Sequence, residues 1–249
     1  MSIALFVPCF VDQLYPRVAI AALDVLERLG VRVDVPGGAA CCGQPPANAG
    51  FERAGDVALG QFVRTFTRYD TTIVLSGSCA MHVRSHAASL DADGSRVAAS
   101  AIEFCSFLHD VVGVERVATL NAKRSARAAV HIGCHALRGL ALASPSELRV
   151  PHFDKVRTLL ETVQGLTFAE PERQDECCGF GGSFSVTEPD VSARMGRDRL
   201  RDYRQSGANL VVSTDVSCVM HLAGLASRDG QRLPMLHVAE VLSGSTAAA

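Results

Sequence analysis

Residues 176–184 read ECCGFGGSF: two adjacent cysteines, a glycine at once, and two more glycines within three residues. ACCGQPPAN at 40–48 repeats the Cys-Cys-Gly core. Working outward from these anchors, the flanks match as well. IALFVPC ending at Cys9 parallels AAVHIGC ending at Cys134, and TTIVLSGSCAMH ending at His82 parallels NLVVSTDVSCVMH ending at His221. The pattern C…CCG…S-C-x-M-H therefore occurs twice in the same order. Its intervals are 31 and 36 residues in the first copy and 42 and 39 in the second. Two copies this long do not make a solenoid; they indicate a duplicated half-domain.

Each half reads as alternating strands and helices. SIALFVP is a short apolar strand. In YPRVAIAALDVLERLG, Pro16 suits a first helical turn, Val18, Ala22, Val25, Leu26 and Leu29 share a face, and Gly30 ends the helix. VRVDV alternates like a strand. FERAGDVALGQFVRTFTRY places Phe51, Gly55, Ala58, Phe62 and Phe66 at helical spacing, and TTIVLS is a buried strand. The second half repeats this with RAAVHI, FDKVRTLLETV, TFAEP, a helix opened by Pro189 and closed by Gly207, and ANLVVST. AIEFCSFLHD reads as a helix carrying Cys105. Strands alternating with helices predict an α/β fold: two pseudo-symmetric parallel-sheet half-domains, each with one CCG cysteine motif. The halves are assigned to 1–120 and 121–249, with the seam in the polar, basic stretch NAKRSARA. Every cysteine of the pattern then follows a strand, at the sheet edge where open parallel sheets bind ligands.

Composition narrows the chemistry. The 249 residues are 48% hydrophobic and 20% charged with net charge −2, so no basic footprint for nucleic acid is present. No segment approaches the roughly 20 apolar residues of a membrane span. MSIALFVPCF has no basic n-region and meets Asp12 early, so a cytoplasmic protein is expected. In a reducing compartment nine cysteines point to metal or redox chemistry rather than disulfides. Eight belong to the repeat: Cys9, Cys41, Cys42 and Cys79, then Cys134, Cys177, Cys178 and Cys218. Cys105 is left over and reads as a core residue, as do Met81 and Met220.

Four thiolates at one place suit an iron–sulfur cluster or zinc. Zinc sites favour C-x₂₋₄-C pairs, whereas adjacent cysteines can reach different irons of a cluster. Gly43 and Gly179 let the backbone turn and offer N–H groups to sulfur. GQPP has two prolines without N–H, so the two sites are expected to differ. His82, His135 and His221, each near a cysteine, are candidate donors to sulfur. The competing explanation for the whole set is buried free cysteines. There is no G-x-G-x-x-G after a strand, no P-loop, no H-E-x-x-H and no separate ferredoxin-type cysteine run.

The repeated CCG, with CCGFGGSF, GSCAMH and DVSCVMH, resembles the cysteine-rich CCG-domain family, which includes the B-type subunits of heterodisulfide reductases and the iron–sulfur subunits of glycolate oxidases. Its two-repeat, stand-alone form is similar to the A-type lactate utilization proteins. The resemblance implies an iron–sulfur electron-transfer subunit of a complex oxidising L-lactate or a related 2-hydroxy acid. It implies a [4Fe-4S] cluster on the eight cysteines, with zinc as an alternative in one site. It also implies a ferredoxin-like iron–sulfur subunit and a further subunit as partners. Two other functions stay open: thiol–disulfide chemistry at a cluster, and a metal-stabilised scaffold or sensor without turnover. Fuller family motifs end in C-x-x-C; here Ser76 and Asp215 stand at the first position of that pair. Each is a candidate oxygen ligand or hydrogen-bonding neighbour.

Overall fold

A computed structural model describes residues 1–244. Two all-parallel sheets carry the two halves. The first has β1 (Ile3–Phe6), β2 (Thr71–Val74) and β3 (Ala101–Glu103) in the order β1-β2-β3. The second has β4 (Lys123–His131), β5 (Gln164–Phe168), β6 (Leu210–Ser213) and β7 (Met235–His237) in the order β5-β4-β6-β7. The register keeps the halves in step: Phe6 pairs with Val74 just as His131 pairs with Ser213.

The helix Pro16–Arg28 forms as expected, with proline at its start, the apolar stripe buried, and Gly30 at φ +67° after its end. The second-half helix Pro189–Gln205 behaves likewise, with Gly207 at φ +78°. The helix Glu52–Phe66 buries Gly55, Leu59, Phe62, Val63 and Phe66. Phe51 instead sits before its first turn, 69% exposed, and Ala58 is only half-buried, so the inward stripe runs through Leu59.

Four local expectations change. VRVDV makes a single bridge, Ala4 to Asp34, in the place β5 takes in the other half. The two hydrogen bonds Leu5 N to Asp34 O and Asp34 N to Ile3 O form it, and Pro36, lacking an N–H, follows before a ladder can extend. AIEFCSFLHD is not one helix: β3 takes Ala101–Glu103, and helical turns follow at Phe104–Ser106 and Phe107–Val112. β7 has no counterpart among the sequence expectations, because a three-residue apolar run carries no period. The polar seam is mostly strand, since β4 starts at Lys123 and alternates exposed with partly covered residues before entering the core.

The largest core cluster draws on both halves: Leu5, Leu26, Ile73 and Phe104 from one, Val156, Leu160, Val212 and Leu242 from the other. The outward sheet faces have their own cores. Phe6, Phe62 and Phe66 centre one; Leu200, Tyr203 and Leu222 centre the other. Cys105 is fully buried in the shared core, as a core residue should be. Met81 is half-buried beside Gly139, and Met220 is half-buried on the cavity described below, so neither is fully interior. Among the described residues, no helix is long and apolar enough to cross a membrane.

Candidate metal centre

Three chain segments deliver the cysteines in each half. Cys9 opens the short helix Cys9–Leu14 after β1, and Cys134 opens Cys134–Gly139 after β4. Cys79 and Cys218 lie in the first turns of Gly77–His86 and Val216–Arg228, which follow β2 and β6. The Cys-Cys pairs come from the connecting loops. In the first half Cys42 Sγ lies 3.0 Å from Cys79 Sγ, and in the second Cys178 Sγ lies 3.1 Å from Cys218 Sγ. These separations exceed the about 2.05 Å of a disulfide, and all nine cysteines are free thiols. Cys9 hydrogen-bonds to Cys41, and Cys134 to Cys177, so all four thiols of each half meet.

The thiols are not alike. Cys41 and Cys177 are each held down to about 2. For Cys41 the main cause is the hydrogen bond from Cys42, then that from Cys9; for Cys177 it is Cys134, then Cys178. Cys9 and Cys134, which donate to them, are pushed up, first by that bond and then by burial. In each half the first cysteine of the pair is thus the one whose thiolate its neighbours favour most, a starting point for metal capture.

The glycines are required by shape. Gly43 has φ +92° and Gly179 φ +90°, and each N–H donates to the sulfur of the first cysteine of its pair, Cys41 or Cys177, at 3.4 Å. A Cβ on Gly43 would lie 2.4 Å from the Gly55 carbonyl oxygen; on Gly179, 2.6 Å from that of Ser192. The loop therefore packs directly on a helix backbone. Pro45 and Pro46 occupy the first turn of Gln44–Asn48, where a missing N–H costs nothing, so GQPP does not distinguish the two sites at this N–H.

A profile of the cysteine-rich CCG domain matches residues 3–84 and 128–223, one match over each cysteine set. The chain belongs to the cysteine-rich CCG-domain family. Similar proteins include lactate utilization protein A of Geobacillus kaustophilus, 34% identical over 98% of this chain and 99% of that protein. The Exiguobacterium protein of the same name is 35% identical over 97% of both chains. That of Bacillus subtilis is 33% identical over 98% of this chain and 99% of its own.

The two CCG repeats face one another across a shared cavity of about 490 Å³, lined by every cysteine of the two sets except Cys41. Phe10 and Phe180, 5.7 Å apart and edge to face, come to it from opposite repeats. Ser76 and Asp215 line it too and bond to each other. Ser76 caps Gly77–His86 by accepting from Cys79 N, and Asp215 caps Val216–Arg228 by accepting from Ser217 N.

The three histidines singled out by the CCG flanks have different surroundings. His135 Nδ1 pairs with Gln44 Nε2 of the other repeat at 3.1 Å. His82 stacks on His86, keeps Nε2 buried without a partner, and is held down to about 4, mainly by burial. His221 Nε2 donates to Ser192 O at 3.3 Å, the carbonyl against which Gly179 packs.

The residue that sequence analysis missed is His131. A ring nitrogen of it and the sulfurs of Cys178 and Cys218 lie within 4.8 Å of one another, all three side chains buried. Cys218 is lowered to about 7, first by the hydrogen bond from Cys178, while burial opposes the shift and nearby His131 adds to it. A signal was present: His131 stands three residues before Cys134, where the first CCG repeat has Phe6 before Cys9.

Proposed function

We propose that the chain is an iron–sulfur electron-transfer subunit serving the oxidation of L-lactate or a related 2-hydroxy acid. Cys9, Cys41, Cys42 and Cys79 would hold one centre, and Cys134, Cys177, Cys178 and Cys218 the other. The observation that carries this is the meeting of four thiols, from three segments, in each repeat. Four thiolates with backbone N–H donors at 3.4 Å are the donor set of a [4Fe-4S] cluster. When bound, such a cluster supplies one-electron chemistry. The chain's own part is to hold the thiolates, exclude water from the most buried sulfurs, and open both sites to one cavity. Lactate enters through the names of relatives matched over nearly the whole chain. On this proposal the halves 1–120 and 121–249 are the units of duplication. The chain works in the cytoplasm with two partners, a ferredoxin-like iron–sulfur subunit and a further subunit that carries the substrate chemistry.

A second possibility has one observation in its favour: the grouping of His131 with Cys178 and Cys218 offers the mixed nitrogen and sulfur donors that zinc accepts. Zinc in that site would make the second repeat a scaffold. One experiment separates the two. Iron, acid-labile sulfide and zinc are measured on protein purified without oxygen, with visible spectra before and after reduction. Near four iron and four sulfide per occupied site, with bleaching on reduction, is expected. Zinc without sulfide would overturn electron transfer.

A further inference from the structure

The two repeats diverge at one set of equivalent buried positions. In the first, Phe6, Phe62 and Phe66 pack edge to face, with Phe6 4.8 Å from Phe62 and 5.7 Å from Phe66. Counting from Cys9 and Cys134, and from the helix starts Glu52 and Pro189, the matching residues are His131, Arg199 and Tyr203. Three aromatic hydrocarbons beside the first centre are replaced by three polar groups beside the second. All three are 0–1% exposed.

Their hydrogen bonds have a direction. Arg199 can only donate. Its Nε donates to Tyr203 Oη at 2.9 Å, and Nη1 pairs with Asp202 at 2.7 Å. Its second Nη1–H reaches the carbonyl of Arg173, and one Nη2–H reaches that of Gln174. Asp202 also accepts from Glu172 N and Arg173 N, so the buried pair is satisfied. With one lone pair of Tyr203 taken by Arg199, the phenol hydrogen has one acceptor among the described residues, Nδ1 of His131 at 2.6 Å. The imidazole hydrogen must then sit on Nε2. That atom is buried with no hydrogen-bond partner, in a side chain one of whose ring nitrogens lies within 4.8 Å of the sulfurs of Cys178 and Cys218. Were Nε2 instead a metal ligand, Nδ1 would carry the hydrogen and the Tyr203 hydroxyl hydrogen would be left unpaired at 0% exposure.

We infer that Arg199, Tyr203 and His131 form a one-way hydrogen-bond relay that delivers an Nε2–H to the sulfurs of the second centre and makes it easier to reduce than the first. The inference rests on the iron–sulfur function proposed above. His131 is a positioning and tuning residue: it stabilises the more negative, one-electron-reduced form, and no proton changes hands. The electron comes from an external one-electron donor. Electrons entering through the first centre would therefore settle at the second, which gives the chain a direction.

The test uses protein purified without oxygen with its native centres, titrated potentiometrically with visible and EPR detection. Tyr203→Phe and His131→Leu are expected to lower one midpoint potential and leave the other in place. His131→Gln, which keeps an N–H donor, should restore most of the shift. Cys42→Ser, removing a ligand of the first centre, identifies which midpoint moved. Independently, ¹⁵N spectra of histidine-labelled wild-type protein should give His131 as the Nε2–H tautomer. An Nδ1–H tautomer overturns the relay. So do midpoints unmoved, or moved equally, in Tyr203→Phe and His131→Leu. If the protein carries no iron, the electron-transfer function fails by itself, and the tautomer, read without any variant, still decides the relay.

Discussion

Ser76 Oγ donates to Asp215 Oδ2 at 3.0 Å across the interface of the two repeats, with both residues 4% exposed. These are the two positions where fuller family motifs carry the first cysteine of C-x-x-C. Asp215 Oδ2 also accepts from Ser78 N at 3.1 Å, so one carboxylate serves the helix starts of both repeats. In this chain the two positions form a joint between the halves. Ser76→Ala is expected to cost about 1 kcal/mol and Asp215→Ala about 2–3 kcal/mol in urea unfolding. The double variant should fall short of their sum by about 1 kcal/mol; strict additivity would show that the contact carries no coupling.

Gly43 and Gly179 combine positive φ with backbone in the way of any Cβ. Gly182, at φ +65°, has open space instead. Alanine at Gly43 or Gly179 should therefore destabilise by more than about 2 kcal/mol and displace the Cys-Cys loop, whereas Gly182→Ala should cost only about 1 kcal/mol. Thermal or urea unfolding of the three variants gives the ranking, and equal costs would contradict it.

Glu103 caps the turn after β3 by accepting from Ser106 N at 2.8 Å, while its Oε1 is buried without a partner. Burial pushes it up to about 7, from an ordinary 4.5. Between those values the native state keeps a proton that the unfolded chain has lost. Its contribution is thus fully present below about 4.5 and is lost as pH rises through about 7, up to about 3 kcal/mol in all. Glu103→Gln should flatten the fall in stability between pH 5 and 8. An unchanged pH profile would show that Glu103 is not its source.

Ligand removal should separate the cysteines into two classes. Cys42→Ser and Cys178→Ser are each expected to remove about one centre's worth of bound iron and sulfide. Cys105→Ala, in the shared core, should leave metal content unchanged and cost about 1 kcal/mol of stability. Metal and sulfide analysis beside an unfolding curve reads both. Equal metal content in all three variants would remove the adjacent pairs from the ligand set.

Much of the fold was legible because its signals are local and doubled. Pro16 and Pro189 open helices, Gly30 and Gly207 close them, and the apolar stripes fall where helical spacing puts them. Elements whose existence depends on neighbours were not legible. VRVDV has the alternation of a strand yet makes one bridge, and the three-residue β3 and β7 form only because β2 and β6 lie beside them.

The sequence by itself determined the duplication, the α/β class and the eight cysteines, since each is written in residue order and spacing. Tertiary structure decided what those residues face. It turned Ser76 and Asp215 toward each other, opened both cysteine sets onto one cavity, and set His131 beside Cys178 and Cys218 with Tyr203 and Arg199 behind it. The physical reason is that hydrogen bonds and burial act between side chains far apart in the chain: 139 positions separate Ser76 from Asp215, and 72 separate His131 from Tyr203.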